Sequence, residues 1–193
     1  MGVEYELKYR ADQESLSSIF TTFPARWQTI AMETTYYDTP SHSLSQRRWT
    51  LRRRMENRTS VCTLKTPGKG LERGEWEVNC DCIETAISEL CKLGAPAELM
   101  ELCKEGLVIS CGAKFTRRAG RFTLRDCVME IALDQGILLG GSKELPLWEL
   151  EVELKEGSKE AMETFAAELA GIYGLLPEEK SKFARALALA NEV

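Results

Sequence analysis

Over the first ten residues the charged side chains Glu4, Glu6, Lys8 and Arg10 alternate with Val3, Tyr5, Leu7 and Tyr9. A period of two marks a β-strand with one apolar and one charged face. The same period returns near the other end, where Trp148-Glu149-Leu150-Glu151-Val152-Glu153-Leu154-Lys155 alternates without exception inside a strand predicted over 146–155. Between them, strands are predicted over 27–38, 48–55, 60–66 and 73–79. Arg52 and Arg54 share one face, Lys65 shares a face with Thr63, and Glu75 and Glu77 share a face opposite Trp76 and Val78. A turn is predicted at Pro67-Gly68-Lys69-Gly70. The stretches 107–111, 114–118 and 121–125 predict two hairpins, and a strand over 127–134 is expected to close in a hairpin turn at Asp134-Gln135-Gly136, with 137–139 returning.

Helical spacing occupies the remaining segments. Asp12 can cap a helix over 11–20 with Leu16, Ile19 and Phe20 on one side, and a helix over 83–93 stops before Gly94. A short helix is predicted over 96–104. From Ser158 the positions Met162, Phe165, Ala166, Leu169 and Ile172 form a stripe up to Gly174, and an alanine-rich helix is expected over 181–189.

A chain of 193 residues with 44% hydrophobic and 28% charged content suits one soluble domain, over 1–193. It contains no apolar run near the roughly 20 residues of a membrane span and opens on a charged strand instead of a secretory signal. A cytoplasmic protein without a membrane partner is expected. The net charge of −5 argues against general binding to nucleic acid, so any polyanion must meet a local basic site. The seven cysteines lack CxxC spacing, and His42 is the single histidine. Buried reduced thiols are therefore expected, not a zinc site.

The charged faces change the picture when taken together. Glu4 and Glu6, Glu75 and Glu77, and Glu149, Glu151 and Glu153 make acidic faces; Arg52 and Arg54, Lys65 and the neighbourhood of Arg117 make basic ones. Like charges opposite one another destabilise a sheet. A closed antiparallel barrel, with these faces lining its lumen and helices covering its apolar exterior, accommodates them. Two unit charges about 4 Å apart interact by roughly 4 kcal/mol at an effective dielectric near 20, so clustered glutamates require cations and clustered arginines require anions. Carboxylates without His or Cys favour Mg²⁺ or Mn²⁺, and arginine matches phosphate oxygens two at a time. Paired glutamates also occur in glycosidases, but sugars give no reason for Arg52, Arg54 and Lys65.

Seven motifs in order now resemble one family, the CYTH domain or triphosphate tunnel metalloenzymes. They are Glu4-x-Glu6-x-Lys8, Tyr36-Tyr37-Asp38-Thr39-Pro40, Leu51-Arg52-Arg53-Arg54, Thr63-Leu64-Lys65, Glu130-Ile131-Ala132-Leu133-Asp134-Gln135-Gly136, Glu149-Leu150-Glu151-Val152-Glu153-Leu154 and Ser181-Lys182. The likeness is greatest to bacterial inorganic triphosphatases. It implies an α+β fold, an eight-stranded antiparallel β-barrel with helices packed on the outside, and metal-dependent hydrolysis of tripolyphosphate to pyrophosphate and phosphate. By motif, Glu4, Glu6, Glu149 and Glu151 would hold metal, with Glu130 and Glu153 as further candidates. Lys8, Arg52, Arg54, Lys65, Arg117 and Lys182 would grip phosphate, and Glu4, Glu6, Lys8 and Glu151 would carry catalysis. Arg118 competes with Arg117, because a one-residue slip exchanges the faces. Glu75 and Glu77 remain open between the lumen and a solvated face. Relatives of this type can carry a second, histidine-rich helical domain, and none is expected in this chain. The rival activities are a class IV-type adenylyl cyclase, a thiamine triphosphatase using Trp49, Trp76 or Trp148, and a non-catalytic polyphosphate-binding module.

Overall fold

The computed structural model describes the backbone of residues 2–68, 73–124 and 126–192, and side chains throughout these except at 2–4 and 73. Lys69 and Gly70 of the predicted turn lie outside the described residues. The strands are β1 (Gly2–Glu4), β2 (Glu6–Arg10), β3 (Gln28–Asp38), β4 (Thr50–Glu56), β5 (Thr59–Pro67), β6 (Arg73–Asn79), β7 (Val108–Leu124), β8 (Cys127–Gly140), β9 (Lys143–Glu156) and β10 (Leu176–Pro177). Among the described residues they form one antiparallel sheet in the order β1-β6-β5-β4-β3-β7-β8-β9-β2-β10. This is an open order of ten strands, where a ring of eight was expected. Its flanks are nevertheless tied to one segment. β1 pairs with β6 and β2 pairs with β9, although only Tyr5 separates β1 from β2.

Two sequence expectations fail in the long strands. The stretches read as two hairpins form one 17-residue strand, β7. β8 runs straight through Asp134-Gln135-Gly136, where a turn was expected. Gly136 is explained by close backbone approach. A Cβ there would stand 2.1 Å from the Lys114 carbonyl oxygen and 2.5 Å from the Phe115 Cα. Glycine inside a strand marks such contacts as readily as turns.

Helices cover both faces. On one face, α1 (Gln13–Thr22) and α5 (Lys159–Tyr173) place Leu16, Ile19, Met162, Ala166 and Leu169 against Met129, Ile131, Leu133, Leu150 and Val152. Each large side chain buried there contributes roughly 1.5–3 kcal/mol. Asp12 and Ser158 cap these helices, accepting from the Ser15 and Ala161 amides at 2.8 and 3.3 Å. On the same outer side of β4–β6, α3 (Ile83–Lys92) and α4 (Glu98–Leu102) bury Ile83, Ile87, Leu90 and Leu99 against Leu51, Cys62, Leu64 and Trp76.

The last helix, α6 (Lys182–Asn191), departs from the expectation that all helices pack outside. Its Phe183, Ala186 and Leu187 pack on Met32, Tyr36, Ala113, Phe115, Leu138 and Leu147. Alternation along β7, β8 and β9 puts those positions on the face opposite α1 and α5. Gly140 allows the approach, since a Cβ there would lie 2.5 Å from the Ala190 amide nitrogen. The helix thus seals part of the inner face.

A short helix, α2 (Ser43–Gln46), was not foreseen. It is organised by Asp38 of the Tyr-Tyr-Asp-Thr-Pro motif, whose buried carboxylate accepts from the amides of Thr39, Leu44 and Ser45 at 2.8, 3.0 and 3.2 Å. All seven cysteines are free; Cys62, Cys111 and Cys127 are buried, whereas Cys82 is exposed, against the expectation for that thiol. Burial pushes the Cys62 and Cys111 thiols up to about 12, which keeps them protonated and inert. Among the described residues, no helix is long and apolar enough to cross a membrane.

Candidate active site

Strand register assembles one wall of acids. On β9, Glu149, Glu151 and Glu153 stand directly opposite Asp134, Ala132 and Glu130 of β8, and on the other side opposite Arg10, Lys8 and Glu6 of β2. A second wall rises from β4, β5 and β6, where Arg52 faces Thr63, Thr63 faces Glu77, and Lys65 faces Glu75. Between the walls lies a cavity of about 410 Å³.

Most of the sequence-predicted residues line this one cavity. Glu6, Glu130, Glu151 and Glu153 contribute carboxylates to it, and Lys8, Arg52, Arg54, Lys65, Arg117 and Lys182 contribute cations. Glu75 and Glu77 line it too, which decides the open question of their face. Arg118 does not: its guanidinium stacks over the Phe20 ring at 4.5 Å, on the outer side. Glu149 lies beneath the lining, fully buried. The Glu4 side chain falls outside the described residues, and its backbone pairs with Arg73. Trp49 and Trp76 belong to the core under α3, and Trp148 to the core under α1 and α5.

Two residues that sequence reasoning missed complete the deep part of the site. Asp134 is fully buried, accepts two hydrogen bonds from Arg117 at 2.8 and 2.7 Å, and lies 2.8 Å from the Lys182 ammonium. Lys182 also donates to Glu151 at 2.6 Å and to Glu149. Arg185, one helical turn after Lys182, donates to Glu149 and lies 3.7 Å from Glu178. Arg117 reaches Glu151 as well. Asp134 was legible in principle, since positions 130, 132 and 134 share a strand face once the turn reading is dropped. Arg185 has the helical spacing to Lys182, but its role requires α6 on the inner face.

Ligand oxygens of Asp134, Glu149 and Glu151 lie within 4.8 Å of one another. Their charges are answered one for one by Arg117, Lys182 and Arg185. Burial pushes the Glu149 carboxyl up to about 7, against the pull of Lys182. Burial also works to raise Glu151, yet Arg117 and Lys182 outweigh it and hold that carboxyl well below its ordinary range. For Lys182, burial opposes the charge, but Asp134, Glu151 and Glu149 prevail and keep the ammonium protonated. On the opposite wall, burial lowers the Arg54 pKa, with Arg52 and Arg117 adding to the fall and Glu56, which accepts from Arg54 Nε at 2.8 Å and also from Nη2, partly offsetting it.

These wall contacts are looser elsewhere. Lys65 lies 3.2 Å from Glu75, and Arg52 lies 3.8 Å from Glu75 and 3.9 Å from Glu77. The arrangement can hold a cation among carboxylates at one side of a cavity and an extended anion along the other.

Comparison with known proteins gives a consistent picture. A family model described as the CYTH domain matches residues 2–187. An inorganic triphosphatase from Haemophilus influenzae is 30% identical over 144 residues, which cover 74% of this chain and 41% of that protein. The chain therefore spans less than half the length of this relative. Among solved structures, the PH1819 protein from Pyrococcus horikoshii OT3 superposes with a TM-score of 0.67 at 23% identity, covering 96% of this chain and 99% of its own. The Hippeastrum protein HpAC1, reported with a dominant triphosphatase activity, superposes with a TM-score of 0.66 at 16% identity, covering 100% and 98%.

Proposed function

Because the chain belongs to the CYTH domain family, we propose that it hydrolyses a triphosphate, and specifically inorganic tripolyphosphate to pyrophosphate and phosphate, with Mg²⁺ or Mn²⁺. One observation carries the reading: a single cavity has Glu6, Glu151 and Glu153 on one wall and Arg52, Arg54 and Lys65 on the other. On the same reading the sheet closes into a tunnel. Taking β1 and β2 as one bent strand and leaving aside the two-residue β10 gives eight strands, with β6 and β9 meeting through the N-terminal segment.

The donor set fits a hard divalent cation, since every candidate ligand is a carboxylate and three of them converge within 4.8 Å. Glu6, Glu149 and Glu151 would hold it, with Glu4 from the same N-terminal segment, Asp134 added, and Glu130 and Glu153 further along the wall. When bound, the metal supplies charge neutralisation at the phosphate oxygens and a template for in-line attack by water. The chain's own residues position the substrate. Arg52, Arg54 and Lys65 bind oxygens along one side of the phosphate chain, Lys8 and Arg117 meet it from the carboxylate side, and α6 closes water out of the inner end. Such pre-placed charge serves phosphoryl transfer, in which positioning and electrostatic stabilisation dominate.

Phosphate release from tripolyphosphate, ATP and thiamine triphosphate, each with Mg²⁺, with Mn²⁺ and with chelator, tests the proposal. Fast metal-dependent release from tripolyphosphate is expected. Cyclic AMP and pyrophosphate from ATP would assign a cyclase instead, and tight binding without turnover would assign a binding module.

A further inference from the structure

The basic wall carries its own anions, and they are placed by the backbone. Glu75 and Lys65 are directly opposed across β5 and β6, and Glu77 and Arg52 flank Thr63 in one cross-strand row. Opposed side chains in a ladder start about 5 Å apart, so the register brings both acids to the cavity lining beside these cations. Glu75 lies 3.2 Å from Lys65 and 3.8 Å from Arg52, and Glu77 is held by the Thr63 hydroxyl at 3.0 Å and lies 3.9 Å from Arg52. Two carboxylates thus sit on the very cations that are proposed to take phosphate.

We infer that Glu75, assisted by Glu77, is an internal counter-anion that competes with phosphate for Lys65 and Arg52, limiting the hold on product and on metal-free polyphosphate. This inference rests on the triphosphate reading above. The physical trade-off is direct. Without Glu75 the cations lose a counter-charge 3.2 Å from Lys65 and 3.8 Å from Arg52, and an entering phosphate would face one rival fewer. With it, each bound phosphate oxygen must displace a carboxylate, which lowers affinity for simple anions and speeds their departure. The distances of 3.2 to 3.9 Å suit exchange better than the 2.7 and 2.8 Å contacts of Arg117 with Asp134.

The test compares unsubstituted protein, Glu75→Gln and Glu89→Gln, the last removing an equal charge from the exposed Lys92 pair on α3. Calorimetry reads tripolyphosphate binding in chelator, and inhibition of turnover by pyrophosphate is measured with Mg²⁺. Glu75→Gln is expected to tighten both by about fivefold, the scale of one wet ion pair, and Glu89→Gln to change neither. A merely structural role would weaken binding instead. Binding by unsubstituted protein that Glu75→Gln leaves unchanged or weaker overturns the inference alone. Equal tightening by Glu89→Gln also overturns it, by making net charge the cause. Failure of unsubstituted protein to bind tripolyphosphate, with or without metal, overturns the functional reading and this inference with it.

Discussion

The deep carboxylates and the basic wall face each other across one cavity but are held on different terms. Asp134, Glu149 and Glu151 are matched by Arg117, Lys182 and Arg185 in a cluster where two acids are fully buried. Arg52 and Lys65 lean on Glu75 and Glu77 at longer range beside open cavity. Burial makes an unanswered charge far more costly in the first region than in the second. When ionised, the deep acids therefore require a cation, whether an ammonium or a metal, while the wall cations can trade one anion for another.

The comparison breaks most visibly at the two lysines. Lys182→Met leaves three acids, two of them fully buried, with two cations, and unfolding in denaturant should show a loss of about 3–5 kcal/mol. Lys65→Met should cost less, about 1 kcal/mol, because its pair lines the cavity at 3.2 Å and neither partner is fully buried, unlike Asp134 and Glu149. Adding Mg²⁺ or Mn²⁺ should restore more stability to Lys182→Met than it adds to unsubstituted protein, as a ligand selective for the folded state does. Similar losses for both lysines would erase the distinction.

Glu6→Gln sharpens the comparison from the acid side. The described partner of Glu6 is Lys8 at 3.4 Å, so folding should be preserved. Metal-dependent turnover of tripolyphosphate should fall by about 10²–10³-fold, the usual scale for losing a group that stabilises transition-state charge. Steady-state kinetics beside a circular dichroism melt separates the two effects.

The smallest effect is in pH dependence. Glu149, raised to about 7 from 4.5, contributes stability that is complete below 4.5 and is lost as pH rises through about 7. Glu151, held low, contributes stability that is present above 4.5 and is lost as pH falls through its lower folded value. Metal-free denaturation midpoints should therefore decline on both sides of a mildly acidic optimum. Glu149→Gln should flatten the neutral limb only.

Much of this site was legible because it lies on strands. The alternation over Glu4 to Arg10 and over Trp148 to Lys155 fixes which side chains share a face, and pairing of β2 with β9 then brings Lys8 opposite Glu151. What a single sequence leaves hidden is which neighbour a residue approaches. Gly136 reads as a turn and serves as a point of close contact with β7. The apolar stripe of α6 predicts that the helix packs, but not on which face of the sheet. Asp134 and Arg185 were missed for these two reasons, and they complete the deep cluster.

The most direct test of the two-walled account is a crystal structure with Mg²⁺ and a non-hydrolysable triphosphate analogue. The account predicts metal on the carboxylate wall at Glu6 and Glu151, with phosphate oxygens on Arg52 and Lys65 and Glu75 displaced from them. An analogue bound outside this cavity, or phosphates in it with Glu75 still on Lys65, would contradict it.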